Sequence, residues 1–279
     1  MSNYKTKNLI LNDIYKGNSL LKYAYLEKGA NNFLDVVLNP SYDIYKNEIK
    51  ILKKNKDAFQ KILKENIVVL GVGNGDKIKI LLDGFNFKTL TLVDLSKKMI
   101  SIAKQNLSKY NLKIINKDFE EIDFSQFQKN TSFIFLGGTL FNFNNWDLIL
   151  KKLKNNFSNS NIIIGVELLN KTEDVNLVSK QYKKESVFDF LTFPLRFIGL
   201  NKKDGLVKQV YNKKERSIDT YFIFKNSNDK VNFKDNKIKK IILCRSIKLF
   251  KNDFFKKIED YEVILDCNLK NNQIIALRL

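Results

Sequence analysis

The sequence predicts an α/β protein built on a parallel sheet, and three observations carry that expectation. Short apolar strands alternate with helices from Ile67 to Val166. A glycine-rich turn, Gly71-Val72-Gly73-Asn74-Gly75, joins the first of those strands to its helix. From Ser217 onward the apolar period falls to two, as half-buried antiparallel strands require. Strands that alternate with helices form right-handed βαβ units, so the earlier strands are expected side by side and parallel.

Each element has its own signal. Met1 to about Lys54 reads as helices and loops, with a turn at Pro40 and an apolar stripe of Ile44, Ile49, Ile51, Leu52, Phe59, Ile62 and Leu63 between lysines. Ile67 to Leu70 is the first buried strand, and Lys77 to Leu82 the helix after the glycine turn. Thr89 to Val93 is the second strand. Ser96 is placed to cap the helix Lys97–Leu107, because its hydroxyl accepts from the free first-turn N–H groups. Leu112 to Ile115 and Ser132 to Leu136 are the third and fourth strands. A helix from about Trp146 to Phe157 precedes the fifth, Asn161 to Val166. Lys171 to about Arg216 reads mainly helical. Ile218–Phe224 and Lys237–Leu243 read as antiparallel strands, and Leu249–Ile258 as a short helix. Val263–Cys267 and Ile274–Leu279 flank a polar turn at Asn271-Asn272 and form a closing hairpin.

Composition narrows the chemistry. The 279 residues are 44% hydrophobic, enough for one large domain or a domain with a cap. No apolar run approaches the roughly 20 residues that span a bilayer, and the first residues lack the apolar core of a signal peptide. With only two cysteines, Cys244 and Cys267, there is neither a disulfide framework nor a zinc pattern. A reducing, cytoplasmic setting is expected, with no membrane partner. The absence of histidine excludes a histidine general base, a histidine metal ligand and a Ser-His-Asp triad. No metal site is expected. Basic residues number 49 against 30 acidic ones, a net charge of +19. That field attracts nucleic acid or anionic membrane. The joint enrichment in Lys, Asn and Ile is equally the mark of an AT-rich genome.

The candidate site begins at the glycine turn. Glycine lets the backbone bend sharply and lets a ligand approach the main chain. Asp94 ends the second strand 19 residues after Gly75, where an acid in this type of fold accepts from both ribose hydroxyls. Asp118-Phe119 follows the third strand. A carboxylate beside a ring there suits an adenine amino group. The spacing is G-x-G-x-G and departs from the dinucleotide pattern G-x-G-x-x-G.

From Leu38 onward the chain resembles the histidine Nα-methyltransferases of ergothioneine biosynthesis. Leu38-Asn39-Pro40-Ser41-Tyr42-Asp43-Ile44-Tyr45-Lys46-Asn47-Glu48 is similar to their L-P-x-Y-Y-x-T-R-T-E segment. Leu70 to Lys77 resembles L-G-S-G-x-x-x-K, and Val93-Asp94-Leu95-Ser96 resembles D-V-S. Phe135-Leu136-Gly137-Gly138-Thr139-Leu140-Phe141-Asn142-Phe143 is similar to F-L-G-S-T-I-G-N-F, a rather specific string. Gly165-Val166-Glu167-Leu168 resembles G-V-D-L, and Ser246-Ile247-Lys248 the S-x-K stretch before the last helix.

The resemblance implies a Rossmann-like class I methyltransferase sheet with a second α+β substrate domain. The sheet would take residues 55–170 and 247–279, and the accessory domain 1–54 and 171–246. It implies S-adenosylmethionine as cofactor and S-adenosylhomocysteine as product. Gly71, Gly73, Gly75, Lys77, Asp94, Asp118 and Phe119 would bind the cofactor. Tyr42, Asn142, Tyr182 and Ser246 would bind the substrate, with Asn142 and Tyr182 also serving catalysis. The chain departs from the family at three places. Cys244 stands where a glutamate reads the imidazole, Lys46 where an arginine stands, and Val69 where the glycine loop has its first acid. The expected reaction is therefore N-methylation of an amino acid or small amine other than histidine, by a monomer. RNA or protein methylation, using the basic surface, is the alternative.

Overall fold

A computed structural model describes residues 3–40, 42–143, 145–225 and 238–279. Lys237, expected to open a strand, and Ser41, within the resemblance, fall outside the described residues. The chain divides into two compact units, Met1–Ser41 with Val175–Ile247, and Tyr42–Asp174 with Lys248–Leu279.

The second unit is organised by a seven-stranded sheet. Its strands are β1 (Asn66–Leu70), β2 (Thr89–Val93), β3 (Leu112–Ile115), β4 (Thr131–Phe135), β5 (Asn161–Glu167), β9 (Glu262–Leu269) and β10 (Asn272–Arg278). They lie in the order β3-β2-β1-β4-β5-β10-β9. β1 to β5 are parallel, while β10 runs antiparallel to both β5 and β9. This is the α/β architecture expected. β1, β4 and β5 are buried along their whole length, so they read as apolar runs rather than as alternation.

The helices of this unit are α4 (Asp43–Ile62), α5 (Asp76–Leu82), α6 (Lys97–Asn106), α7 (Trp146–Asn156) and α10 (Lys251–Lys257). Ser96 caps α6 as expected, its hydroxyl accepting from Met99 N at 3.2 Å. One core cluster joins Ile51, Leu52 and Phe59 of α4 to Val69, Leu81, Leu92, Ile134, Ile163 and Ala276. A second, aromatic cluster packs Phe124, Phe127 and Phe157 around Phe133 of β4.

Helix α4 corrects the expected domain boundary. The division falls at Tyr42 and not after residue 54, because the buried stripe of this helix belongs to the sheet's own core. The polypeptide leaves and re-enters this unit at one place. Leu169 bridges Phe250 in parallel fashion, Leu169 N donates to Leu249 O and Lys251 N to Leu169 O, both at 2.9 Å. Beside that bridge Lys248 and Glu167 form a buried ion pair at 2.8 Å.

The first unit contains α1 (Asn3–Tyr15), α2 (Leu21–Ala24), α3 (Gly29–Leu38), α8 (Asp174–Tyr182), α9 (Glu185–Thr192) and a three-stranded antiparallel sheet. Its helices meet through Tyr25, Phe33 and Phe190, whose ring centroids lie 4.9–5.5 Å apart. Gly29 permits a close crossing, since a Cβ there would sit 2.1 Å from Ala24 O.

The sheet strands are β6 (Gly205–Asn212), β7 (Ser217–Phe224) and β8 (Lys240–Ile247), in that order. β6 is a correction, because this stretch was expected to be helical. Its Leu206, Val207, Val210 and Tyr211 mix both faces of a partly exposed edge strand, which blurs the period of two.

Phe133 is fully buried among three rings. Phe133→Ala is expected to lower the unfolding free energy by about 3–5 kcal/mol, through lost burial and the cavity left behind. Urea denaturation checks this.

Candidate active site

The sheet order reverses between β1 and β4. Ligands of open α/β sheets bind at the carboxyl ends of the strands flanking such a reversal. Two glycine turns stand at those ends here. After β1, Gly71, Gly73 and Gly75 take φ of +74°, +59° and +83°, the left-handed region open to glycine. Their roles differ. A Cβ on Gly71 would lie 2.6 Å from Thr139 Cγ2, and one on Gly75 3.2 Å from Ala103 Cα, whereas one on Gly73 would meet nothing within 4 Å. Gly71 and Gly75 thus let elements approach one another, while Gly73 lines open space. After β4, Gly137 and Gly138 open the 3₁₀ turn Thr139–Asn142, which carries Asn142, half-buried.

Asp94 closes the glycine turn from β2. Its Oδ1 accepts from Ser96 N at 2.8 Å, and its carboxylate also accepts from the backbone N–H groups of Val72 and Gly73. Burial raises its pKa to about 6 despite those three donors, and the neighbouring charge of Asp118 adds to the rise. Asp118 is itself buried and accepts from Glu120 N at 3.1 Å. Phe119 is buried edge-on against Phe135 and Phe143, at 5.4 and 4.7 Å between centroids. Lys77 lies in the first turn of α5.

Sequence reasoning missed what α4 contributes here. Tyr42 is the residue before this helix and is half-buried. One turn in, Tyr45 donates to Asp76 Oδ2 at 2.7 Å and accepts from Asn74 Nδ2 at 3.1 Å. Burial raises the Tyr45 pKa to about 12, so it stays a donor. Glu48, only 1% exposed, takes the Lys77 ammonium at 2.5 Å and the Gly137 N–H at 2.9 Å. A Cβ on Gly165 of β5 would strike Glu48 Oε1 at 1.9 Å, so this carboxylate occupies the space that glycine leaves. Glu48 therefore ties together α5, the turn after β4 and the end of β5. The signal was in plain sight, as a lone acid on the apolar stripe of α4.

Tyr182 and Ser246 belong to the first unit. They come together across 64 positions of sequence, Tyr182 OH lying 3.3 Å from Ser246 Oγ in a buried contact. Cys244, two residues earlier on β8, is also buried. Arg245 between them points to the opposite face of the strand, where it grips Asp219 through Nε at 3.0 Å and Nη2 at 3.1 Å.

Comparison with known proteins adds to this geometry. The family described as histidine-specific methyltransferase, SAM-dependent, matches residues 16–192. A relative from Malacoplasma penetrans, ribosomal RNA small subunit methyltransferase A, is 28% identical over 147 residues. That match is 52% of this chain and 52% of the relative, so the chain spans about half the length of the curated relative it matches. Among solved structures, the PH0226 protein of Pyrococcus horikoshii OT3 is similar at a TM-score of 0.54 and 16% identity, over 88% of this chain and 97% of that one. Magnesium protoporphyrin IX methyltransferase of Synechocystis, solved with S-adenosylhomocysteine, reaches 0.48 at 11% identity, over 98% and 100%. At 16% identity the Pyrococcus horikoshii structure speaks to the fold alone. Among the described residues no helix is long and apolar enough to cross a membrane.

Removing the charge of Glu48 leaves a nearly buried Lys77 ammonium without its partner. Glu48→Gln is expected to lower the unfolding free energy by about 3 kcal/mol. Tyr45→Phe is expected to lower it by about 1 kcal/mol. Denaturant titration of the two variants and of the double variant measures both.

Proposed function

The chain belongs to the histidine-specific, S-adenosylmethionine-dependent methyltransferase family, and from that premise we propose that it N-methylates an amino acid or related small amine other than histidine. The observation that supports this reading is the buried Tyr182–Ser246 contact. It joins the two residues for which the resemblance implies a hold on a small substrate.

The chain's own groups fit the cofactor. Gly73 leaves open space where any side chain would project. Asp94 is a carboxylate at the tip of β2, ready to accept from ribose hydroxyls, with Asp118 and the Phe119 ring next along the sheet edge. The Lys77 ammonium, fixed by Glu48, supplies positive charge for the carboxylate of the methionine portion. When bound, S-adenosylmethionine supplies an electrophilic methyl group on a sulfonium.

The protein's remaining task is alignment, since charge disperses as the C–S bond breaks and the N–C bond forms. Asn142, at the tip of the turn after β4, orients the amine through its amide oxygen. The amine attacks as the free base, and the ammonium formed releases its extra proton to water. No histidine is needed for any of these roles. Cys244 offers no carboxylate to an imidazole, which supports an acceptor other than histidine.

Mass spectrometry of a panel of amino acids and small amines, incubated with enzyme and S-adenosylmethionine, tests the proposal. One or more should gain a methyl group, and Asn142→Ala should lower kcat by roughly 10²-fold. Methylation of RNA alone would overturn the reading.

Asp94 makes cofactor binding depend on pH. Its raised pKa leaves it protonated below about 6 in the free protein, and ribose hydroxyls donate to the ionised form. S-adenosylhomocysteine affinity is therefore expected to fall as pH drops through 6, with a proton released on binding in that range. Calorimetry in two buffers of different ionisation enthalpy measures that release, and Asp94→Asn should flatten the profile. The linkage to folding has the opposite sign. A carboxylate whose pKa is higher in the folded than in the unfolded chain favours folding most at low pH, and that contribution is lost as pH rises through 6.

A further inference from the structure

The seven-stranded sheet is covered by two layers of helix that differ in surface charge. Helices α4, α5 and α6 lie on one face. Ile51 and Phe59 of α4, Leu81 of α5 and Ala103 of α6 share a core with Val69 and Ile134. Phe133, next to Ile134 on β4, points to the other face. There it meets Phe124 and Phe157, and Trp146 of α7 stacks on Phe254 of α10.

On α4 the exposed positions are Lys50, Lys53, Lys54, Asp57 and Lys61. Steps of three and four residues put them on one stripe, opposite the buried one. α5 adds exposed Lys79, and α6 adds Lys97, Lys98 and Lys104. The three helices thus expose eight lysines and one acid. Asp83, at the end of α5, is already taken by Lys109 at 2.7 Å and Lys56 at 4.0 Å.

Composition does not account for this pattern. A codon bias acts on the whole chain alike, yet the opposite layer is mixed. Its exposed lysines stand among exposed Glu120, Glu121, Asp123, Glu259 and Asp260. The placement also works against the helices themselves. Lys50 and Lys54 are like charges one turn apart. Lys97 and Lys98 occupy the first turn of α6, the positive end of its dipole. An anion laid over the layer relieves both.

The surface also narrows which anion. Among the described residues, these helices leave no large apolar side chain exposed, so this face carries nothing to enter lipid. They contain no arginine, the side chain that most often reads guanine edges in DNA. α4 packs against α5 and α5 against α6, so no single helix stands out to enter a major groove. What remains is a broad spread of ammonium groups. That suits helical RNA, which is recognised by shape and backbone across a wide, shallow groove.

We propose that the solvent face of the α4–α5–α6 layer binds the phosphate backbone of helical RNA. The RNA is held and not methylated, so the proposal is independent of the acceptor.

The test measures binding of the full chain to a fluorescent RNA duplex of about 16 base pairs, between about 50 and 200 mM salt. Log affinity is expected to fall against log salt with a slope of about −4, as four or more phosphate contacts give. Lys50→Glu with Lys54→Glu should weaken binding at least about tenfold, with S-adenosylhomocysteine affinity retained. Lys151→Glu with Lys256→Glu makes the same change of net charge on the opposite layer and should leave binding within about threefold. If charge reversal prevents folding, the glutamine versions of the two pairs make the same comparison. Equal losses from the two pairs, or a slope shallower than about −2, overturn the proposal. Tighter binding to phosphatidylserine vesicles than to RNA overturns it in favour of a membrane, and equal affinity for a DNA duplex of the same sequence overturns the assignment to RNA.

Discussion

The site depends first on one carboxylate that must stay ionised while nearly surrounded by protein. Asp94 draws the N–H groups of Val72, Gly73 and Ser96 onto itself, so the loop after β1 and the start of α6 are built around its charge. Its backbone is held as well. Asp94 N donates to Ile115 O at 3.2 Å, and Asn116 Nδ2 donates to Asp94 O at 2.9 Å. Three consecutive strand ends are thereby joined at one residue. Of the loop's glycines, Gly73 supplies one of those N–H groups, at a left-handed φ of +59°.

Glu48 plays a parallel part on the other side of the reversal point. A carboxylate that is 1% exposed survives only when charge and N–H groups meet it, and Lys77 and Gly137 do so. The same helix sends Tyr45 to Asp76 and Asn74. The carboxyl end of the parallel strands is thus braced from α4 by one tyrosine and one acid, three residues apart on the same helical face.

The core of the fold was legible because its signals are local. Ile67–Leu70, the glycine turn and Asp94 lie within 28 positions, and strand burial there writes apolar runs into the sequence. Ser96 was legible as a cap for the same reason. What escaped was non-local. Glu48 shows in the sequence as an acid among the buried positions of α4, but the Gly165 that makes room for it lies more than a hundred positions later. α4 was assigned to the wrong unit because its stripe shows that a face is buried without showing what buries it. β6 was taken for helix because, on a partly exposed edge strand, lysine and glutamine interrupt the alternation. The Tyr182–Ser246 contact came from motif resemblance alone, since no spacing rule links residues on a helix and a distant strand.

The ladder between Leu169 and Phe250 carries a consequence for how such a chain diversifies. Departing and returning polypeptide run side by side there, locked by two main-chain hydrogen bonds and the Lys248–Glu167 pair. Whatever is spliced between those points begins and finishes at neighbouring positions, so its length and sequence are free to drift without tugging on the parallel strands. Exchange of the interposed segment would therefore leave the ends of β5 and α10 where they stand.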